Sequence, residues 1–116
     1  MSVYITSTGA FLPGPPIAVE EVEGVLGAIH GKPSWLRVQI QKSNKIQTRH
    51  YAIDKNQQTT HSNSLMPTNA ASECLDRSYI SRDKVGMLAV ATTQGDHPAP
   101  GMASMVQAEL GLPELE

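Results

Sequence analysis

The sequence predicts an α/β fold, and three observations carry that reading. Short β-branched runs alternate with segments whose apolar residues recur at helical spacing, in the order β-α-β-α-β-α. One run, Val85 to Thr93 (VGMLAVATT), is nearly continuous in apolar residues, the pattern of a strand covered on both faces. Nine Gly and eight Pro in 116 residues fall largely where the pattern changes.

Val3 to Ser7 alternates apolar and polar residues and reads as a strand. Gly9 and the Pro13-Gly14-Pro15-Pro16 cluster force a turn and an extended loop. A helix is predicted over Val19 to Ile29. Val22, Val25, Leu26 and Ile29 fall on one face, and Glu20, Glu21 and Glu23 lie near its start, where carboxylates complement the helix dipole. His30-Gly31-Lys32-Pro33 ends it. Ser34 to Asn44 has no clean period and reads as an irregular basic segment. Ile46 to Ile53 has the composition of a strand, and Asp54 to Thr60 that of a polar loop. A second helix is predicted over Thr68 to Tyr79, with Pro67 near its start and Ala71, Cys74, Leu75, Ser78 and Tyr79 as its buried stripe. Ser81-Arg82-Asp83 breaks it. After the strand at Val85 to Thr93, a loop covers Gln94 to Ala99, and a third helix runs from Pro100 to about Leu110, with Gly111 as its stop. No strand follows to complete the last crossover. The expectation is one domain, residues 1–116, that is an incomplete part of a layered α/β architecture.

Composition excludes several classes of function. Nine basic against eleven acidic residues give a net charge of −2, which argues against a nucleic-acid binder. One cysteine, Cys74, excludes an intrachain disulfide framework and suits a reducing, cytoplasmic setting. No apolar run approaches the roughly 20 residues of a membrane span, and the N-terminus lacks the pattern of a signal peptide. One Phe and one Trp make a core thin in aromatic residues.

Few residues carry recognisable chemistry. Cys74 sits mid-helix on the predicted apolar stripe, which favours a structural cysteine over a nucleophile. The four histidines show no metal-ligand spacing, so no metal is expected. Dinucleotide, P-loop and serine-hydrolase motifs are absent. Trp35 with Arg37, Lys42, Lys45 and Arg49 forms a basic segment with one aromatic. It reads either as a solvated surface or as a site for a phosphate-rich, adenine-bearing ligand or an acidic carrier protein.

Three colinear segments resemble the β-ketoacyl-acyl-carrier-protein synthase III family of the thiolase-like superfamily. They are VYITSTGAFLP (Val3 to Pro13), IQTRHYA (Ile46 to Ala52) and LAVATTQGDHPAPGMASMVQAELGL (Leu88 to Leu112). The resemblance implies the N-terminal part of an αβαβα layered subunit from a homodimer. It implies an acyltransferase that performs a decarboxylating Claisen condensation, with an acyl-coenzyme A or acyl-carrier protein as substrate, no bound cofactor, and the acyl carrier protein and the remainder of the ketosynthase as partners. In the family the nucleophilic cysteine lies just beyond the segment matched here, and the catalytic His and Asn much further on. No catalytic residue is therefore expected among these 116, and Cys74 does not take that role.

Two departures from the family pattern bear on substrate. The stretch between Trp35 and Arg49-His50 is about two residues longer, which puts the family's coenzyme A-contacting arginine near Ser43, beside Lys42. Ala99 stands where the family often has a bulky aromatic closing the partner's acyl pocket, which leaves room for a longer acyl chain. The resemblance thus makes Trp35, Arg37, Lys42, Lys45 and Ala99 the expected substrate-binding residues. Two other readings compete with it: a non-catalytic ketosynthase-like partner subunit, and a stand-alone α/β binding module.

Overall fold

The computed structural model describes residues 1–115; of Ile29, Val38, Gln41 and Lys42 it describes the backbone only. Contacts divide the chain into two compact units. One is Leu12–His61, and the other joins Met1–Phe11 to the chain from Ser62 onward.

In the first unit, Ile17–Ala18 (β1) pairs antiparallel with Thr48–Arg49 (β2), Ile17 opposite Arg49 and Ala18 opposite Thr48. A 3₁₀ turn at Val19–Glu21 leads into a short helix, Val22–Leu26 (α1). The predicted helix to Ile29 is cut short because Gly27 turns to φ 84°, a conformation that glycine adopts without steric cost. Val19 and Val25 are buried and form the core of this unit. The Val25 carbonyl accepts the side-chain amide N–H of Gln57, reached from the turn that Asp54 organises. The Asp54 carboxylate accepts the N–H groups of Asn56 (2.8 Å) and Gln58 (2.9 Å).

The segment expected to be irregular is a helix, Trp35–Asn44 (α2). Leu36, Arg37, Gln39 and Gln41 are all good helix formers, so propensity specifies a helix here without a clean apolar stripe. The Ser43 hydroxyl donates to the Ile40 carbonyl (2.9 Å) in its last turn, and Lys45, at φ 54°, leaves the helix.

The second unit is built on Leu65–Arg77 (α3) and Met102–Leu110 (α4). α3 starts three residues before the expected Thr68, because Ser62 and Asp96 provide its N-terminal acceptors. The Ser62 hydroxyl accepts the Leu65 N–H (3.1 Å), and Asp96 accepts those of Asn63 (2.9 Å) and Ser64 (2.7 Å). α4 buries Val106 and Leu110 and ends at Gly111 (φ 63°), as the sequence indicates. Ser64, just ahead of α3, and Thr68 in its first turn are buried, and their hydroxyls donate to the two carboxylate oxygens of Glu109 (2.7 and 2.8 Å). At the same end of α4, Arg82 donates to the Leu110 carbonyl (3.2 Å) and, further along α3, to Ser72 (3.0 Å) and Asp76 (3.1 Å). The expected stripe on α3 is half-buried rather than buried at Ala71, Cys74, Leu75 and Ser78, and Tyr79 is exposed past the helix end.

The predicted strands at Val3 to Ser7 and Val85 to Thr93 pair with nothing among the described residues, and only part of Ile46 to Ile53 forms a strand. A strand needs a neighbour to satisfy its N–H and C=O groups. The pairings found among the described residues are antiparallel, β1 with β2 and an isolated bridge between Ile53 and Thr59, so the described residues show no parallel sheet. Val3 and Ile5 are about nine-tenths exposed (91% and 88%). The first segment still contacts α3. The Ala10 N–H donates to Glu73 (3.0 Å), and the Ser7 Oγ lies 3.2 Å from the Cys74 Sγ.

Gly9 allows that approach. A Cβ there would lie 2.2 Å from the Ala70 carbonyl oxygen and 2.6 Å from the Cys74 backbone nitrogen, so Gly9→Ala should destabilise the unit by about 1–3 kcal/mol in urea unfolding. Gly24→Ala, in α1 with nothing within 4 Å of the new Cβ, should instead gain up to about 1 kcal/mol. Asp96 yields a pH prediction. The Asn63 N–H, followed by groups of Ser64, holds its carboxyl below the ordinary aspartate value. Its contribution is therefore complete above the ordinary carboxylate range and is lost as pH falls through the lowered folded-state value. Asp96→Asn should remove that part of the acid destabilisation, read from urea midpoints across the acid range.

Candidate functional site

Of the residues singled out by the sequence, Trp35 and Arg37 lie in the first turn of α2, and Arg37 alone of them lines a cleft. A cleft of about 310 Å³ lies between α1 and α2, lined by Val22, Glu23, Leu26, Gly27, Ser34 and Arg37. The turn at Gly27 and the Pro33 break let Glu23 of α1 reach the start of α2. Trp35 follows the lining residue Ser34 and is 69% exposed.

Glu23 organises the cleft. Its Oε1 accepts the Ser34 N–H at 2.7 Å, and its Oε2 pairs with the Arg37 guanidinium at 3.1 Å. Both side chains are more than three-quarters buried, at 22% and 24% exposure. The Arg37 Nε is buried and finds no partner among the described residues. Trp35 and Arg37 stand two residues apart on α2 and so point to different faces of the helix; Arg37 lines the cleft and Trp35 does not.

The expected basic patch is therefore not a single feature. Arg37 is paired rather than free. Lys45 lies past the far end of α2, about 15 Å along the helix axis from Trp35 at 1.5 Å per residue. The side chain of Lys42 lies outside the described residues. Ala99 belongs to the second unit, exposed in the loop that Asp96 ties to α3. Cys74 is half-buried on α3. Among the described residues no group of three or more His, Cys, Asp or Glu could hold a metal ion. Among the described residues no helix is long and apolar enough to cross a membrane.

Sequence reasoning missed Glu23 as a member of the site. It reads as a residue complementing its own helix dipole, and its partners lie beyond the Gly27 turn. It also missed a smaller cavity of about 140 Å³ in the same unit, walled by Pro15, Ile17, Val25, Tyr51 and Ile53, with Lys55 beside it.

No family profile matches the chain. Among curated proteins it is similar to β-ketoacyl-acyl-carrier-protein synthase III of Wolbachia pipientis subsp. Culex pipiens, 31% identical over 107 residues, which is 92% of this chain and 30% of that protein. It is likewise similar to the same enzyme of Jannaschia sp., 32% identical over 104 residues, 90% of this chain and 29% of that protein. The chain thus spans about 30% of the length of the relatives it matches. Among solved structures, AbyA1, described as a tetronic acid condensing enzyme, superposes with a TM-score of 0.74 at 24% identity. The match covers 95% of this chain and 33% of that one, and it shows that the fold is shared.

Trp35 is the one tryptophan of the sequence, so its fluorescence reports on the start of α2. Iodide should quench it strongly in the folded chain, with little further gain in quenching on unfolding. Protection of the fluorescence in the folded state would contradict the exposed placement.

Proposed function

We propose that this chain, which resembles β-ketoacyl-acyl-carrier-protein synthase III over about nine-tenths of its length, is the donor-facing part of a condensing acyltransferase. In this reading the complete enzyme joins acyl units in fatty-acid or polyketide-type lipid synthesis. An enzyme cysteine takes the acyl group from its thioester carrier and releases the carrier thiol. Loss of carbon dioxide from a malonyl thioester then forms the carbanion that attacks the acyl-enzyme and releases the cysteine. The residues described here supply no nucleophile, and Cys74 stays a helix-packing thiol. Their part is to receive the donor and to shape the space for its acyl chain. The observation that carries this reading is the similarity to several synthases over about 92% of the chain.

Trp35 and the cleft beside it are the receiving surface in this proposal, with Lys42 and Lys45 as outlying positive charges that attract an acidic carrier protein. Titration of the chain with a carrier protein bearing its pantetheine arm tests it. Trp35→Ala should weaken binding at every ionic strength. Replacing both lysines by Gln should weaken it at low salt only, because exposed charges are screened at high salt. Unchanged carrier affinity in both variants would overturn the assignment.

Ala99 is the proposed limit on acyl length, with its methyl group leaving space that a ring would fill. Each buried methylene contributes about 0.8 kcal/mol, so losing room for three or four should cost roughly 2–3 kcal/mol with a long acyl donor. In the complete enzyme Ala99→Phe should therefore lower kcat/KM for a long donor and spare a short one. Equal losses for both donors, or none for the long one, would remove Ala99 from the acyl pocket.

A further inference from the structure

We propose that the smaller cavity of the first unit is a binding site for a short-chain carboxylic acid, with the hydrocarbon chain inside and the carboxylate at Lys55. The proposal goes beyond the donor reading and does not depend on it. The cavity holds about 140 Å³ and is walled by Pro15, Ile17, Val25, Tyr51 and Ile53. Apolar cavities of about this volume stay free of water and take up compact hydrocarbons as large as benzene. The size therefore sets a limit of about six carbons on the guest.

Backbone bonds hold the walls apart. On one side the Gly14 carbonyl meets the His50 Nδ1 at 3.0 Å. On the other, residues 52–60 fold back as a hairpin. The Asp54 N–H donates to the Gln58 carbonyl (3.0 Å), the Thr60 N–H donates to the Ala52 carbonyl (2.9 Å), and Ile53 bridges to Thr59. The Gln57 side chain at the tip fastens this hairpin to the Val25 carbonyl. Closing the cavity would break one of these bonds, so movement of the side chains alone cannot fill it. A hydrocarbon guest supplies the walls with the contacts that they lack and removes its own surface from water.

The rim selects the head group. Asp54 and Lys55 both line it. One oxygen of the Asp54 carboxylate accepts the N–H groups of Asn56 (2.8 Å) and Gln58 (2.9 Å), which turns that group toward the backbone. Lys55 is exposed and enters no ion pair among the described residues. A lysine that lines a cavity and reaches water lays its methylene stem on apolar surface and holds its ammonium outside. A carboxylate on the guest complements that ammonium, whereas an amine would meet it as like charge.

Methyl NMR of the full chain titrated with pentanoate tests the proposal. Pentanoate should shift the Ile17, Val25 and Ile53 methyl signals in a saturable way and raise the melting temperature. Pentanol should bind there more weakly and pentylamine more weakly still. Acetate, with no chain to bury, should leave the signals in place. Lys55→Gln, on an exposed side chain, should weaken pentanoate roughly two- to fivefold, less at high salt, and leave pentanol unchanged. Ile53→Phe should fill the space and abolish pentanoate binding, and Ile17→Phe does the same from another wall should the first variant melt early. Wall methyl groups that do not respond to pentanoate, or that respond equally in the filled variants, overturn the site. Pentylamine binding as tightly as pentanoate, or unchanged pentanoate affinity in Lys55→Gln, removes the carboxylate from Lys55 and overturns the proposal.

Discussion

The Glu23 carboxylate is the contact on which the first unit depends. α1 has five residues, far fewer than the roughly 12–15 at which an isolated helix becomes even marginally stable. Its burial is small, with Val25 its one fully buried side chain and Val19 just before it. What fixes α1 against α2 is a bond to the backbone at the start of α2 and an ion pair to its first turn, both from one side chain. The pairing of Arg37 and the cleft between the two helices follow from that arrangement.

The same strategy recurs in the second unit, and composition gives the reason. Aromatic residues are 4% of the chain, so few side chains are large enough to fill a core alone. Charged and hydroxyl groups take over the positioning. Asp96 caps α3 from a distant loop, Glu109 of α4 takes the hydroxyls of Ser64 and Thr68 at the start of α3, and Arg82 ties the last residue of α4 to Ser72 of α3. Such bonds are directional, so they fix register and angle more tightly than the same number of apolar contacts would.

Legibility from sequence followed the range of the interaction. α4 could be read because Gly111 is a local stop and Val106 and Leu110 share a face. α3 could be read in its body but not at its start, since its N-terminal acceptor, Asp96, lies far along the chain. α2 was missed because its apolar residues do not repeat cleanly and its specification comes from propensity. The strand patterns at Val3 to Ser7 and Val85 to Thr93 are present in the residues, yet pairing is a property of two segments and composition names only one. At the site, Trp35 and Arg37 were legible by residue type. Their separation from Lys45 was not, because it needs the helix between them, and the role of Glu23 needed the turn at Gly27.

The extended, exposed segment around Val3, Tyr4 and Ile5 has a consequence for handling the chain at high concentration. Its backbone edge offers unpaired donors and acceptors beside β-branched side chains, which is a template for pairing with a second copy. Neighbouring residues limit how far such pairing could spread. Pro13, Pro15 and Pro16 lack the N–H that a growing ladder needs, and Pro98 and Pro100 do the same beyond Val85 to Thr93, with Asp83 and Lys84 ahead of it. Association through these edges would therefore stay confined to short stretches, giving small reversible oligomers rather than long fibrils.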